Sequence, residues 1–585
     1  MNHPTVQPIT ALVLISSSSP GYDDAVELVL PYLDHLGLPY ALVDLAREPL
    51  PADVARHALI VIAHRRLDPN DARLGSEGQA ALMGAVESGT GLVSFDPALP
   101  GSGELEGTAR WALWPAEAGT VKFTSEGHYV TSARPPGDEL PLVGTLRVPP
   151  LPPEGVTLLE AGGSPLLTVS TVGRGRVVRW ATCAWMRSTV LGPLAGLDGA
   201  LWRSLVWAAR KPFVLRSLAP IVAMRVDDVA GRGDLWDKSP LYWVRTANEH
   251  GFKPWLGLFL YNLTERAVNQ LRDLVGRGQA TAFPHAFGRP PRADPTLSYA
   301  EDALPLRADR DDEYIYFDHH HGRPWSDVEA ARGLAAVEAW YSTHGPLPIS
   351  RYAVAHWYEM GRNVMTHLYD RWGADLIGKV NDVDTPLRDE TPWLRSGPFR
   401  RFEEPGTCAF SPAQRGDRPV YYADFANFNG RQFFNCVTEI RDDAGYEWAP
   451  SNDVTTTVGR GVRQIARALD SMALAVLFTH ETDYLYKIHP ETWDEVLRQI
   501  VAGIRHWNPI LMTLDDAVRT VRATRTSRLA SCQFDPNART VIATFAGSAD
   551  VPTHFRVFVE VDKEIGQVRM AVPAFEEQTA VTVRL

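Results

Sequence analysis

Between residues 11 and 96 the chain alternates short apolar runs with segments of helical period. The runs 11–16, 40–45, 58–63 and 91–95 are almost wholly apolar, as strands buried on both faces are. Segments 23–36 and 76–88 bring apolar residues back at i, i+3 and i+4, and predict helices. From about 106 to 190 the pattern turns to short strands divided by Pro/Gly turns, such as PPGDELPLVG and PPLPPEG. Val172-Gly173-Arg174-Gly175-Arg176-Val177 reads there as a hairpin turn, and a helix over 197–210 leads on through Lys211-Pro212.

A second alternation begins at 220. Strands are expected over 220–226, 255–260, 279–283, 349–355, 472–478 and 510–513, with helices over 239–250, 264–276, 327–341 and 490–506. Strand–helix units repeated over roughly 300 residues predict a parallel, barrel-like sheet. Residues 373–456 are rich in Pro, Asp and Gly and read as a long irregular insertion, part of a wall or lid. Beyond 521 the runs 540–545, 555–561, 568–572 and 579–584 alternate apolar with polar, the mark of a small antiparallel, sandwich-like β unit. The layout is thus α/β in three parts. They are an N-terminal α/β and β-rich binding or scaffolding domain over 1–215, a βα domain over 216–520 and a β domain over 521–585.

Composition trims the possibilities. At 585 residues the chain is too long for one core, and 45% hydrophobic with 22% charged residues is ordinary globular composition. A net charge of −12 without a basic stripe speaks against nucleic acid as the main partner. No run of ~18 apolar residues predicts a membrane span. The start MNHPTVQPITALVLISSSSPGYDD lacks a basic segment and carries too short an apolar run for a secretory signal. Cys183, Cys408, Cys436 and Cys532 lie far apart without C-x-x-C spacing, so buried thiols are expected, not a disulfide framework or a zinc–cysteine site. Any metal must then be held by histidine and carboxylate.

The residues able to do so stand at strand ends. The apolar run Pro220-Ile221-Val222-Ala223-Met224 passes through Arg225-Val226 into Asp227-Asp228 and breaks at Ala230-Gly231-Arg232-Gly233. This puts two carboxylates on the rim of a sheet, where α/β folds keep their chemistry. His285 follows the strand 279–283, His319-His320-His321 precede the helix 327–341, and His480 ends ALAVLFTH. One carboxylate and two imidazoles make a sound ligand set for zinc or a similar divalent ion. A second carboxylate can take a proton from bound water while a histidine donates one to a leaving group, which suits metal-assisted hydrolysis of an amide or ester.

With these motifs the chain resembles the NodB-like polysaccharide deacetylases, a carbohydrate esterase superfamily with a distorted (β/α) barrel. The resemblance implies Asp227 as base, Asp228 as metal ligand and His285, in LVGRGQATAFPHAF, as a second ligand. His480, in Leu477-Phe478-Thr479-His480, matches the general acid of the family's Leu-x-His ending, one residue longer. The ending HPETWDEVLRQIVAGIRHWNPILMTLDDA is similar to the family's closing helix and strand. The family's H-[ST]-x-x-H is broken, because position 289 is Arg. Gly288–Tyr316 looks like an insertion, after which His319 or His321 is the expected further ligand; alternatively the histidine triple supplies both. Arg351 and the run Val354-Ala355-His356-Trp357-Tyr358-Glu359 match the family's groove wall and oxyanion donor. His356 and Glu359 are expected to line the site or to orient a ligand imidazole. Tyr358 belongs to the same wall, and Trp325 and Trp357 are candidates for stacking on sugar.

The order of domains is similar to the multidomain deacetylases of the fungal galactosaminogalactan type, whose extra N-terminal domain is regarded as carbohydrate-binding. The N-terminal part also resembles flavodoxin-like and class I glutamine amidotransferase-like domains, without an evident nucleophilic cysteine and paired histidine. The reading implied is a hydrolase that removes N-acetyl groups from the amino sugars of a polysaccharide, with a divalent metal, zinc foremost. Two competitors stand beside it. One is a metal-independent glycoside hydrolase, for which neighbouring strand residues pointing to opposite faces are poorly suited. The other is a glycan-binding protein on a decayed barrel. Absent disulfides and signal favour the cytoplasm, whereas a polymer substrate favours export.

Overall fold

The computed structural model describes residues 6–68, 73–98, 115–124, 127–187, 189–288, 314–378, 423–436, 438 and 447–585. The chain divides into two compact units, one holding Met1–Leu218 and Ala523–Leu585, the other Ala219–Pro398 and Glu404–Arg522. The architecture is mixed α/β throughout.

Among its described residues the first unit is built on a nine-stranded sheet. Tyr40–Asp44, Ala11–Ile15, Leu59–Ile62, Gly91–Ser94 and Gly175–Trp180 run parallel, in that spatial order. Ala11–Ile15 and Leu59–Ile62 are buried at every residue, the reason their sequences are unbroken apolar runs. The sheet continues antiparallel through Ser164–Val172, Val156–Ala161, Ala116–Phe123 and Glu139–Val148. The turn at Gly173 joins two of its strands, as its sequence indicates. The helix expected over 23–36 is interrupted, with Tyr22–Asp24 and Leu30–His35 joined by a π-helical turn over Ala25–Val29. Pro31 has no N–H to offer the preceding turn, so a regular ladder cannot run through it.

The C-terminal β segment, set apart by its sequence pattern, belongs to this first unit. Its strand Ser527–Asp535, which the pattern did not predict, pairs with Gln7–Pro8. Thr553–Val561 pairs with Phe213–Leu215. The buried Arg216 reinforces the junction, donating to the carbonyl of Thr524 at 3.0 Å and to Thr553 Oγ1 at 3.2 Å.

The second unit carries the strand–helix repeats. Its strands are β1 Ile221–Val229, β2 Trp255–Phe259, β3 Thr281–Ala286, β4 Tyr352–Ala353, β5 Leu376–Ile377, β6 Ala423–Phe428, β7 Arg431–Cys436, β8 Ala475–His480 and β9 Ile510–Leu511. Helices α1 Tyr242–Glu249, α2 Glu265–Gly276, α3 Asp327–His344, α4 Arg362–Trp372, α5 Val454–Asp470 and α6 Pro490–Ile504 alternate with them. One sheet runs β3-β2-β1-β8, with β9 also on β1, and every pairing in it is parallel. The second runs β4-β5-β7-β6. β1 is buried at all nine residues, charged ones included.

Where the pattern reads an irregular insertion over 373–456, the described part of that segment holds β5, the hairpin β6–β7 and the start of α5. The hairpin turns on Asn429-Gly430, both left-handed at φ 51° and 77°, a pair suited to a two-residue turn. Helix α5 begins Val-Thr-Thr-Thr and contains two glycines, poor helix formers that hid it from propensity, while Asp453 caps its first turn. Residues 379–422 and 439–446 lie outside the described residues, as do Cys408 and, from the insertion at Gly288–Tyr316, residues 289–313. Among the described residues Cys183, Cys436 and Cys532 are free and buried, and no helix is long and apolar enough to cross a membrane.

Helix α3 starts at a capping box in which Ser326 Oγ accepts from the Glu329 amide and Glu329 Oε2 accepts from the Ser326 amide at 3.0 Å. Ser326→Ala removes one half of it. The expected loss is about 1 kcal/mol of stability, read as a lowered unfolding midpoint in urea with unchanged slope.

Candidate metal centre

The centre is organised by an irregularity in β1. Val226 pairs with Leu256 of β2, but the next partners are Val229 and Leu258, so Asp227 and Asp228 together face the single Gly257. This is a β-bulge, and Asp228 lies in the left-handed region at φ 55°. Aspartate tolerates that conformation better than most residues, at a cost of order 1 kcal/mol. The consequence is chemical. The expectation that neighbouring carboxylates point to opposite faces fails here, because the bulge turns both toward the same imidazole. His285 Nε2 stands 3.6 Å from Asp227 Oδ2 and 3.5 Å from Asp228 Oδ1.

His285, one residue from the end of β3, is buried, and its Nδ1–H donates to the carbonyl of Val354 at 2.8 Å. In the neutral ring that bond leaves the lone pair of Nε2 aimed at the carboxylates. His356 opens the turn His356–Tyr358 just after β4, and its Nδ1 lies 3.2 Å from Asp228 Oδ1. Asp228, His285 and His356 each present a ligand atom, all within 4.8 Å of one another. Asp228 Oδ1 is buried and has no hydrogen-bond partner among the described residues. A buried oxygen without a hydrogen bond, facing two imidazole nitrogens, is the arrangement a divalent cation satisfies, and a carboxylate with two histidines suits zinc. Burial alone would raise the Asp228 carboxyl, but His285, His356 and His480 hold it far below the usual carboxylate range.

Two further pairs flank this group. Arg225, wholly buried, donates through Nε to Asp227 Oδ1 at 2.8 Å and through a second nitrogen to Oδ2. Its guanidinium packs over Phe478 at 4.3 Å and Tyr358 at 5.1 Å, and reaches Thr438 Oγ1 at 3.0 Å. Burial pushes Asp227 up, yet Arg225, His285 and His480 together keep it ionised below its ordinary range. On the other side His480, in register with Asp227 across β1–β8, bonds through Nδ1 to Glu447. Burial disfavours the imidazolium, but the bond to Glu447 and the charges of Asp228, Asp227 and Glu447 raise His480 to about 9.

No model of a known protein family matches the chain, and no curated protein does. Among solved structures, a carbohydrate deacetylase (Agd3) aligns over 99% of this chain and 100% of its own at 12% identity, with a TM-score of 0.49. A cytoplasmic protein from Salmonella typhimurium aligns over 35% of this chain and 100% of its own at 14% identity and a TM-score of 0.24. A β-galactosidase from Rahnella sp. aligns over 30% and 29% at 14% identity and a TM-score of 0.20. At these scores none of the likenesses bears on the chemistry of the centre.

The expected site residues distribute unevenly. Asp227, Asp228, His285 and His480 converge. The cluster able to hold a metal has His356, expected as a wall or orienting residue, as its third member. His319 pairs through Nδ1 with the buried Glu359 at 2.7 Å and stacks between Tyr314 and Trp357. His321 pairs with Asp318 at 2.9 Å. Arg351 holds Asp375 through two nitrogens at 2.8 and 2.6 Å. Tyr358 is buried against Arg225, and Trp325 is 7% exposed. Trp357 is 47% exposed and left-handed at φ 56°, beside His356. Arg225, Glu447 and the buried Glu481 were not singled out by sequence. Arg225 had a signal, a charge inside an apolar strand two residues before a carboxylate; Glu447 had none.

In metal-free protein His480 should titrate at about 9 by NMR, against an ordinary 6.5. Because the folded value is raised, the stability this histidine contributes is complete below pH 6.5 and lost as pH rises through 9. Glu447→Gln should bring the titration down; a native value at or under 6.5 contradicts the pairing. Separately, a Cβ at Gly257 would stand 3.0 Å from the His285 ring. Gly257→Ala should therefore weaken zinc affinity by about tenfold or more, measured by calorimetry.

Proposed function

We propose that the second unit is a metal-dependent hydrolase that removes N-acetyl groups from the amino sugars of a polysaccharide. The observation that carries the reading is the convergence of Asp228, His285 and His356 between an ionised Asp227 and a protonated His480. The residues concerned stand near or just past the ends of β1, β3, β4 and β8, and we read the unit as a distorted (β/α) barrel of the NodB-like kind. Missing H-x-x-x-H spacing does not argue for a decayed site on this reading, since the strand after the insertion supplies the second imidazole.

A divalent metal, zinc by the donor set, would be held by Asp228, His285 and His356; when bound it polarises the acetyl carbonyl and acidifies water. Asp227, kept ionised by Arg225, accepts the proton of the attacking water. His480, its Nδ1 engaged by Glu447, gives the proton on Nε2 to the nitrogen of the leaving amine. Trp357, exposed beside the ligand His356, offers an apolar face to a sugar ring. The first unit serves as a carbohydrate-binding or scaffolding domain on this account. A carboxylate-pair glycoside hydrolase is less well supported, because Asp227 and Asp228 are both held low and neither can serve as a protonated acid near neutral pH.

The test is acetate release from an acetylated amino-sugar polymer together with metal analysis. Asp228→Ala should lose both metal and activity. Asp227→Asn should keep the metal and lose about 10²–10⁴-fold in kcat. His356→Ala should lose metal while His321→Ala retains it. Full metal and rate in Asp228→Ala, or activity that survives a chelator, would overturn the assignment.

A further inference from the structure

The residue after His480 does something the reaction does not require of it directly. Glu481 is wholly buried, and its carboxylate accepts four N–H bonds. Oε2 takes the amides of Ala230 and Gly231 at 2.6 and 2.8 Å, and Oε1 takes the amide of Arg232 at 3.1 Å and the indole N–H of Trp243 at 2.7 Å. Its own amide donates to the carbonyl of Asp227 at 3.0 Å. The ladder between β1 and β8 ends at Asp227 and His480, and Glu481 carries the connection further.

Those three amides belong to consecutive residues that come after the bulge. The chain there must leave the left-handed Asp228 and turn through Gly231, itself at φ 69°. Three successive N–H groups converging on one point make a concavity that accepts an anion. In this protein the concavity holds a side-chain carboxyl from the strand that also bears His480, and burial pushes that carboxyl up to about 7 against the pull of these N–H bonds. One carboxylate therefore ties the end of β1 to the end of β8, and so fixes where Asp228 stands relative to His480.

We propose that Glu481 is a positioning residue for Asp228: it holds the Ala230–Arg232 turn, and through it the bulge, in the conformation that presents the Asp228 carboxylate to a metal shared with His285 and His356. The proposal rests on the reading of Asp228 as a metal ligand, but not on the identity of the substrate. Glu481→Gln keeps the shape and replaces an acceptor oxygen by an N–H₂ group facing N–H donors. Glu481→Asp keeps the carboxyl group and withdraws it by one methylene. Trp243→Phe removes a single donor and leaves the three backbone bonds in place.

Zinc affinity by calorimetry and the visible spectrum of the cobalt-substituted protein read the outcome, with acetate release measured alongside. Glu481→Gln is expected to weaken zinc binding by roughly 10–100-fold and to alter the cobalt bands, Glu481→Asp to fall between it and wild type, and Trp243→Phe to bind zinc within a few-fold of wild type. If Glu481→Gln does not fold, Glu481→Asp decides the question by the same readouts. Wild-type zinc affinity in both Glu481 variants, equal weakening in Trp243→Phe, or a wild-type protein that binds no zinc would overturn the proposal. A wild-type protein that binds zinc and releases no acetate would instead count against the deacetylase reading and leave the role of Glu481 standing.

Discussion

Everything at the candidate centre depends on one extra residue in β1. Two carboxylates in a regular strand face opposite sides of a sheet, and only one of them can join a site. By opposing Asp227 and Asp228 to Gly257 alone, the bulge sends both to the rim and places one His285 nitrogen about equally far from each. Gly257 has no side chain where the imidazole lies, and the left-handed turn at Asp228 is held from beyond by the carboxylate of Glu481. A local strain of order 1 kcal/mol is thereby stored where the chemistry is expected, as strained backbone commonly is.

The electrostatics then separate the two aspartates. Arg225 rises from the same strand and takes both oxygens of Asp227, in a buried pair walled by Phe478 and Tyr358. Asp228 faces imidazoles instead. The first is an anion neutralised inside the fold, and the second is held ionised by imidazoles. On the far side Glu447 does for His480 the reverse of what Arg225 does for Asp227, favouring the proton rather than repelling it. The two environments push a carboxylate down and an imidazole up, so Asp227 stays ionised and His480 protonated at the same pH.

Much of this was legible in the chain. The apolar runs located the parallel strands around Ala11–Ile15 in the first unit and β1, β2, β3 and β8 in the second, and Asp227, Asp228, His285 and His480 drew notice because each stands at the end of such a run. What failed did so for physical reasons. The turn His356-Trp357-Tyr358 holds two left-handed residues, a conformation no periodicity announces, so the approach of His356 to Asp228 and His285 could not be read from the pattern. The triple at 319–321 looked like a ligand cluster, yet His319 and His321 each answer to a carboxylate of their own, Glu359 and Asp318. Helix α5, rich in threonine and glycine, is made by tertiary packing that local propensity does not see. The pairing of Ser527–Asp535 with Gln7–Pro8 joins positions too far apart in sequence for any local pattern to connect.

Whether Asp228, His285 and His356 share a cation can be read by X-ray absorption at the zinc edge. Zinc-loaded protein should give one metal per chain with two imidazoles among otherwise oxygen ligands, and His356→Ala should show one imidazole fewer. An imidazole count unchanged in His356→Ala, or one that falls instead in His319→Ala, would rule out His356 as a ligand.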